Sequence, residues 1–295
     1  MQSEFAERAV PWVASLALLL IWEIGCTLFN VPEFVLPKPT VVLAALVQWA
    51  GPIWFHASHT LITTVLGFAI SVGAGVLIGI AVGSSRLAYR GFYPMLVGFN
   101  SIPKVAIVPV LVIWFGIGVV PAVLTAFLMS FFPIAVNVAT GLATVEPEME
   151  DVLRSLGAKP RDIIVKVGLP RALPYFFASL KVAITLAFVG SVISESIASN
   201  RGIGTLMVQA ASDFRIALVF AGLVVTAVMG IAMYASFAML ELRTTHWATR
   251  RMDFDAADPD VIAGAIAEEI GRPVVYREVE TDGARRAAEK LAELL

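Results

Sequence analysis

Six apolar runs divide this chain, near residues 10–29, 60–83, 92–115, 119–141, 174–197 and 216–240. Each reaches the roughly 20 residues that a helix needs to cross a bilayer. Hydrocarbon offers no water to a peptide group, so a spanning segment of this length must close its own hydrogen bonds, as an α-helix does. The composition agrees: 58% of residues are hydrophobic and 15% charged, where a soluble domain carries roughly a quarter charged residues. The expected fold is an all-α membrane protein with six transmembrane helices.

Six spans put both termini on one side. That side collects Arg8, Arg86, Arg90, five basic residues between 151 and 171, Arg243, Arg250 and Arg251; the other collects Lys38, Arg201 and Arg215. The excess of Lys and Arg marks the first side as cytoplasmic. The expected location is a bacterial plasma (inner) membrane, crossed several times, with both termini cytoplasmic. Glu23 within the first run and the lack of an A-x-A site argue against a cleaved signal peptide. Trp12, Trp22, Trp54, Trp114 and Trp247 fall near the expected interfaces.

Some chemistries are disfavoured at once. A net charge of −2 gives no basic surface for nucleic acid. Cys26 is the one cysteine, so no disulfide forms within the chain. His56, His59 and His246 lack metal-ligand spacing, and no metal site is expected. No G-x-x-x-x-G-K-[ST] loop occurs, so ATP hydrolysis by that chemistry is not expected here.

Within the apolar runs, three features stand out. Gly67, Ser71, Gly75, Gly79 and Gly83 recur every four residues in span 2. Small residues at that spacing let another helix approach closely, within one subunit or between subunits. Gly222, Thr226 and Gly230 repeat the device in span 6. Asn100, Ser101, Pro103, Lys104 and Pro109 interrupt span 3. A proline removes a donor and kinks a helix, and the freed carbonyls are tolerated only against protein or a water-filled cavity. Lys104 lies near mid-membrane, where a charge must find a carboxylate, carbonyls or water. It is a candidate for the wall of a solute pathway, with Asn100, and with Ser194 and Glu195 in span 5; a structural ion pair is the alternative. Outside the spans, Thr40 is placed to cap a short helix after Pro37 and Pro39. The stretch Thr205 to Ser212 is expected to form a short outer helix.

Residues 151–170 read DVLRSLGAKPRDIIVKVGLP. Pro147, Glu148, Glu150 and Asp151 favour a helix start, with Val152, Leu153 and Leu156 as its apolar edge. Gly157 permits a turn, Pro160 starts a second helix, and Leu169-Pro170 is expected to end it before span 5. Two short helices with an apolar ridge and a rim containing Arg154 form a docking element for a soluble partner.

This stretch resembles the EAA loop of ABC transporter permeases: E-A-A, three residues, G, nine residues, I, one residue, L-P. Asp151-Val152-Leu153, Gly157, Val167 and Leu169-Pro170 keep that spacing while changing several residue types. The segments LPKPTVVLAAL (36–46), SIPKVAIVPVLVIWFGIG (101–118) and RALPYFFASLKVAITLAFVGSVISE (171–195) are similar to permeases of the nitrate/sulfonate/taurine/bicarbonate importers. The resemblance covers about residues 10–250. It implies a type I importer architecture, a second permease copy (homodimer or heterodimer), two ATP-binding subunits and an extracytoplasmic solute-binding protein. It also implies alternating access for a small organic or inorganic solute, with ATP and Mg held by the partner ATPase and no cofactor bound by this chain.

Residues 1–250 then form the permease domain, and residues 253–295 a cytoplasmic extension that departs from the family. In the extension, Asp258-Pro259 opens a helix-like run, Gly271 ends it, and Val274 to Val279 alternates like a strand, giving a small α/β-like tail. A stand-alone secondary transporter is the alternative function. Such carriers share a broken central helix, but no repeated half-sequence is visible here, and the docking loop would be unexplained. A membrane-embedded enzyme lacks a Ser/His or His/Asp/Glu cluster.

Overall fold

The computed structural model describes residues 2–143, 152, 153, 155 and 157–244. The tail at 253–295, and Asp151, Arg154 and Leu156 of the loop, lie outside the described residues. Among those described, every regular element is helical.

Helix α1 spans Gln2–Leu28, α2 Pro39–Gln48 and α3 Ala50–Gly83. Next come α4 (Arg86–Asn100), a 3-10 turn (Lys104–Ile107), α5 (Val108–Phe115) and α6 (Val119–Ala143). A short helical turn (Pro160–Ile163) and a π turn (Ile164–Gly168) lead into α7 (Leu169–Ala198). Helices α8 (Ile203–Ser212) and α9 (Ile216–Thr244) follow.

Among the described residues, four stretches are long and apolar enough to cross a membrane: α3, α6, the π turn with α7, and α9. A fifth is the pair α4 plus Lys104–Phe115, bent by 74°. Helix α1, 27 residues long, covers the first expected span at 10–29, and its described apolar part is Val13–Leu28. Helix α3 starts earlier than expected, at Ala50 rather than near residue 60. Its 34 residues extend about 50 Å, which carries His56 and His59 onto the helix.

Helix α6 lies between α3 and α7, and small residues are the reason. A Cβ on Gly67 would sit 2.6 Å from the Ala126 Cβ, and one on Gly83 2.7 Å from the Ala139 carbonyl. On the other face of α6, a Cβ on Gly190 of α7 would meet the Thr125 carbonyl at 3.1 Å. Around these approaches Phe68, Ile134, Val138, Leu180, Ala183 and Ile184 form one buried cluster. A second cluster joins Val42 of α2, Ile53 of α3, Ile203 and Leu206 of α8, and Leu218 and Ala221 of α9. It ties the short helices to the end of the bundle that carries Ser199.

Two local expectations change. Helix α2 begins at Pro39 with Lys38 as its N-cap, so Thr40 lies inside it. Its first turn is capped from another element: the Thr40 N–H and hydroxyl donate to the Glu23 carboxylate of α1 at 3.1 and 2.9 Å. Leu169-Pro170 ends no helix, because backbone angles stay helical from Ile163 through Leu169. A proline lacks the N–H and crowds the carbonyl four residues back; the wider π turn just before it accommodates both. The second helix of the loop and span 5 are therefore continuous.

Candidate functional site

The most polar buried cluster gathers where α3 begins, α7 ends and α8 starts. Glu195, in the last turn of α7, is 2% exposed. The Thr60 hydroxyl donates to its Oε2 at 2.7 Å, and the Gly204 N–H donates to the same oxygen at 3.3 Å. Thr63 Oγ1 and Ser191 Oγ lie 2.5 Å apart and 3.3 and 3.4 Å from Oε1. One of these hydroxyls donates to the other, and the second to the carboxylate. Thr60 Oγ1 in turn accepts the Ile203 N–H at 2.8 Å. The spacing Thr60, Thr63 puts both hydroxyls on one face of α3, and Ser191, Glu195 are one turn apart on α7.

Sequence reasoning places Ser194 and Glu195 on a solute pathway. In the structure both are buried; Glu195 is enclosed by donors, and the Ser194 hydroxyl has no hydrogen-bond partner. Thr60, Thr63, Gly202 and Gly204 are not singled out by the sequence. The available signal is two hydroxyls three residues apart in an otherwise apolar span. On the surface of this cluster His56 Nδ1 lies 3.0 Å from the Gly202 carbonyl. The Arg201 guanidinium lies 3.5 Å from His59 Nε2 and over the Phe55 ring at 5.7 Å. The histidines are thus engaged with backbone and Arg201. Among the described residues no three His, Cys, Asp or Glu gather as metal ligands.

Lys104 sits at the break of the bent pair, the first residue of its 3-10 turn, with Pro103 as N-cap. Its ammonium donates to the Asn100 carbonyl at 2.8 Å and to Asn100 Oδ1 at 3.0 Å, and lies 5.2 Å from the centre of the Phe132 ring. No carboxylate pairs with it among the described residues. Asn100 and Lys104 are thus brought together, and Glu195 is not their partner. Pro109 falls at the start of α5, where its missing N–H costs nothing.

A charge pair between α7 and α9 is absent from the sequence-derived candidates. Lys181 of α7 and Glu241 of α9 form an ion pair at 2.5 Å, each side chain 21% exposed. A lysine inside one apolar run and a glutamate at the end of another were its signal, since a lone lysine is costly in lipid.

The small-residue stripe of α3 faces α6 of the same chain. Cβ atoms on Gly75 and Gly79 would meet Ile134 and Val138 at 2.9 and 2.6 Å. Ser71 donates to the Phe127 carbonyl at 2.9 Å and accepts from Ser130 at 2.6 Å. In span 6, Gly222 faces Met207 of α8. In the loop, Val152 is exposed, and Leu153, Val167, Leu169 and Pro170 are half-buried. Gly157 takes φ +85°, which only glycine adopts without strain, and the Ala158 N–H closes back on the Leu153 carbonyl at 3.0 Å. Pro160 opens the following helical turn.

Comparison with known proteins places this architecture. A family model described as "binding-protein-dependent transport system inner membrane component" matches residues 71–246. The formylaminopyrimidine transport permease protein of Halalkalibacterium halodurans is 29% identical over 242 residues, covering 82% of this chain and 96% of the relative. The taurine transport system permease protein of Escherichia coli is 32% identical over 244 residues, covering 80% and 88%. The riboflavin transport system permease protein of Chloroflexus aurantiacus is 30% identical over 237 residues, with the same two coverages. In fold, the chain is similar to the inward-facing MetNI methionine ABC transporter, with a TM-score of 0.51 at 21% identity over 66% of this chain and 94% of that one. The family match over most of the helical bundle, together with relatives aligned along most of their own length, shows that this chain belongs to the binding-protein-dependent inner membrane components, the permease subunits of ABC importers.

Proposed function

We propose that two permease copies, identical or paralogous, enclose a pathway for a small anionic solute delivered by an extracytoplasmic binding protein, and that Lys104 and Asn100 stand on its wall. The observation that carries this reading is the broken span. A cation sits at a 74° bend, held by Asn100 and with no carboxylate partner among the described residues. A lysine neutralised by an acid would serve structure; one held by a carbonyl and an amide oxygen keeps its charge for an anion. Relatives named for taurine, aliphatic sulfonates, riboflavin and formylaminopyrimidine support a small organic solute. The lysine favours the anionic members of such a set.

The loop around Val152, Leu153, Gly157, Pro160, Val167, Leu169 and Pro170, with Asp151, Arg154 and Leu156, docks an ATPase subunit. Each of two such subunits holds ATP and Mg; this chain binds no cofactor. Support comes from the exposed Val152, the glycine-only turn at Gly157, and the continuous helix from Pro160 into α7. That continuity gives a rigid route for motion from loop to span. The excess of Lys and Arg puts the loop and both termini in the cytoplasm.

The test starts from the cognate binding protein, screened for taurine, an aliphatic sulfonate, riboflavin and formylaminopyrimidine by calorimetry. Uptake of the compound that binds is then measured in Lys104→Met and Lys104→Arg permeases, beside co-purification with the ATPase. The expected result is intact assembly with uptake reduced about tenfold or more in Lys104→Met, the scale of one lost charge contact. Normal uptake in Lys104→Met, or failure to assemble, overturns the pathway role.

A further inference from the structure

We propose that Glu195 is the positioning residue for α8: its carboxylate fastens that helix to α3 and α7, so that the three segments at the Ser199 end move as one body during transport. Helix α8 has ten residues and cannot cross a bilayer. A short helix of this kind is held only by what its ends and one face contact.

Its first N–H groups have no partner within the helix, and away from water each must be satisfied by a neighbour. The Ile203 N–H reaches Thr60 Oγ1 on α3, and the Gly204 N–H reaches Glu195 Oε2 on α7. Thr60 also donates to that same oxygen, so one carboxylate closes the contact among all three elements.

The backbone is built for this approach. Gly202 has φ +113°, and a Cβ there would lie 2.1 Å from the Glu195 carboxyl carbon. A Cβ on Gly204 would lie 2.4 Å from the Val192 carbonyl. Any other residue at either position would drive α8 off the end of α7. The connecting turn is tied down as well. The Thr205 hydroxyl lies within 3.0 to 3.2 Å of the carbonyls of Glu195, Ser199 and Arg201, and the Ser199 hydroxyl donates to the Arg201 carbonyl at 2.7 Å. Leu206 and Ala210 bury the far half of α8 against the apolar cluster containing Ile53 and Leu218. Nothing in this arrangement leaves α8 free to swing as a separate flap.

The experiment measures α8 directly in the full chain, reconstituted in lipid nanodiscs. In a Cys26→Ala background, spin labels are placed through Trp54→Cys on α3 and Val208→Cys on α8, both exposed positions, and the distance distribution is recorded by pulsed electron spin resonance. Amide exchange at Ile203 and Gly204 is followed in parallel. Glu195→Leu keeps the bulk and removes the acceptors. It should broaden the distribution and speed exchange about tenfold, as expected when the Gly204 N–H and the Thr60 hydroxyl lose their buried acceptor. Glu195→Gln should behave as wild type. Its amide oxygen accepts from Thr60 and Gly204, and its NH2 donates to the Thr63 and Ser191 hydroxyls, which can accept.

Gly204→Ala keeps the Glu195 side chain, pushes α8 away from α7 through a Cβ 2.4 Å from the Val192 carbonyl and 3.0 Å from the Glu195 Cβ, and should reproduce the broadening. It carries the comparison with Glu195→Gln if Glu195→Leu does not reach the membrane. An unchanged distribution in Glu195→Leu or Gly204→Ala overturns the proposal. So does a Glu195→Gln chain as broad as Glu195→Leu, because the negative charge would then matter apart from the fastening contacts.

Discussion

Replacing Gly79 with alanine adds one methyl group to α3, at a site where α6 leaves no room for it. The new Cβ would lie 2.6 Å from the Val138 Cβ, 2.8 Å from its Cγ1 and 3.0 Å from the Ala135 carbonyl. Carbon atoms rest about 3.5–4.0 Å apart, so the helices must separate by about 1 Å. They cannot do so by tilting alone, because Gly67, Gly75 and Gly83 make equally close approaches along the same face. Forcing a methyl group into such packing costs about 1–3 kcal/mol. Helix propensity acts in the opposite direction, favouring alanine over glycine by about 1 kcal/mol. Gly73 isolates that second effect, because a Cβ there meets nothing within 4 Å. Gly73→Ala should therefore be neutral or slightly stabilising, with Gly79→Ala less stable than it by about 1–3 kcal/mol, since the propensity gain is common to both. The double variant Gly79→Ala with Val138→Gly moves the small residue across the contact and leaves the Ala135 carbonyl as the nearest atom. It should be more stable than the sum of the two single changes by about 1–2 kcal/mol. Unfolding in mixed micelles, followed by tryptophan fluorescence, measures all four proteins. Equal stability of Gly79→Ala and Gly73→Ala, or additive single changes, would refute this reasoning.

Other outcomes test the charges, the loop and the orientation. Glu241→Gln alone should destabilise by about 2–3 kcal/mol, because the Lys181 ammonium loses its carboxylate in a poorly solvated site. Adding Lys181→Met to it should recover part of that loss in the same unfolding assay, and no recovery would show the pair to be uncoupled. Gly157→Val forces a β-branched residue to φ +85°, a strain of about 1–2 kcal/mol. It should leave membrane insertion intact while uncoupling ATP hydrolysis from uptake, and unchanged coupling would count against the docking role. A cysteine at Ser199 should react with an impermeant reagent from outside and one at Asp258 should not; the reverse pattern contradicts the orientation.

Much of the bundle is legible along the chain because lipid imposes a simple rule. Runs of apolar residues long enough to span must be helical, and α3, α6, α7 and α9 follow from length and hydropathy alone. Their boundaries are less legible, as α3 shows. Nothing apolar distinguishes Ala50 from residue 60, and the earlier start comes from α3 extending past the spanning length to meet α2 and α8. The π turn at Ile164–Gly168 is a compromise between helix continuity and Pro170, so a proline that reads as a stop signal occurs within an unbroken helix. Of the pathway candidates, Asn100 and Lys104 are one turn apart in sequence and meet in space. Glu195 looks equally exposed to solute until the hydroxyls of a helix more than a hundred residues away surround it.

The apolar run lengths and the Lys and Arg bias thus determine that this chain is a helical membrane protein and which orientation is expected. The spacing of the small residues in span 2 determines that one of its faces must meet another backbone. Which backbone it meets, α6 of the same chain, is decided by the tertiary structure alone. So are the pairing of Lys181 with Glu241, the capping of α2 by Glu23 and the fastening of α8 by Glu195. The physical reason is the same in each case. Local sequence states that a charge, an N–H or a glycine surface needs a partner, because lipid will not supply one. The partner lies in a different helix, and only the packing of the bundle selects it.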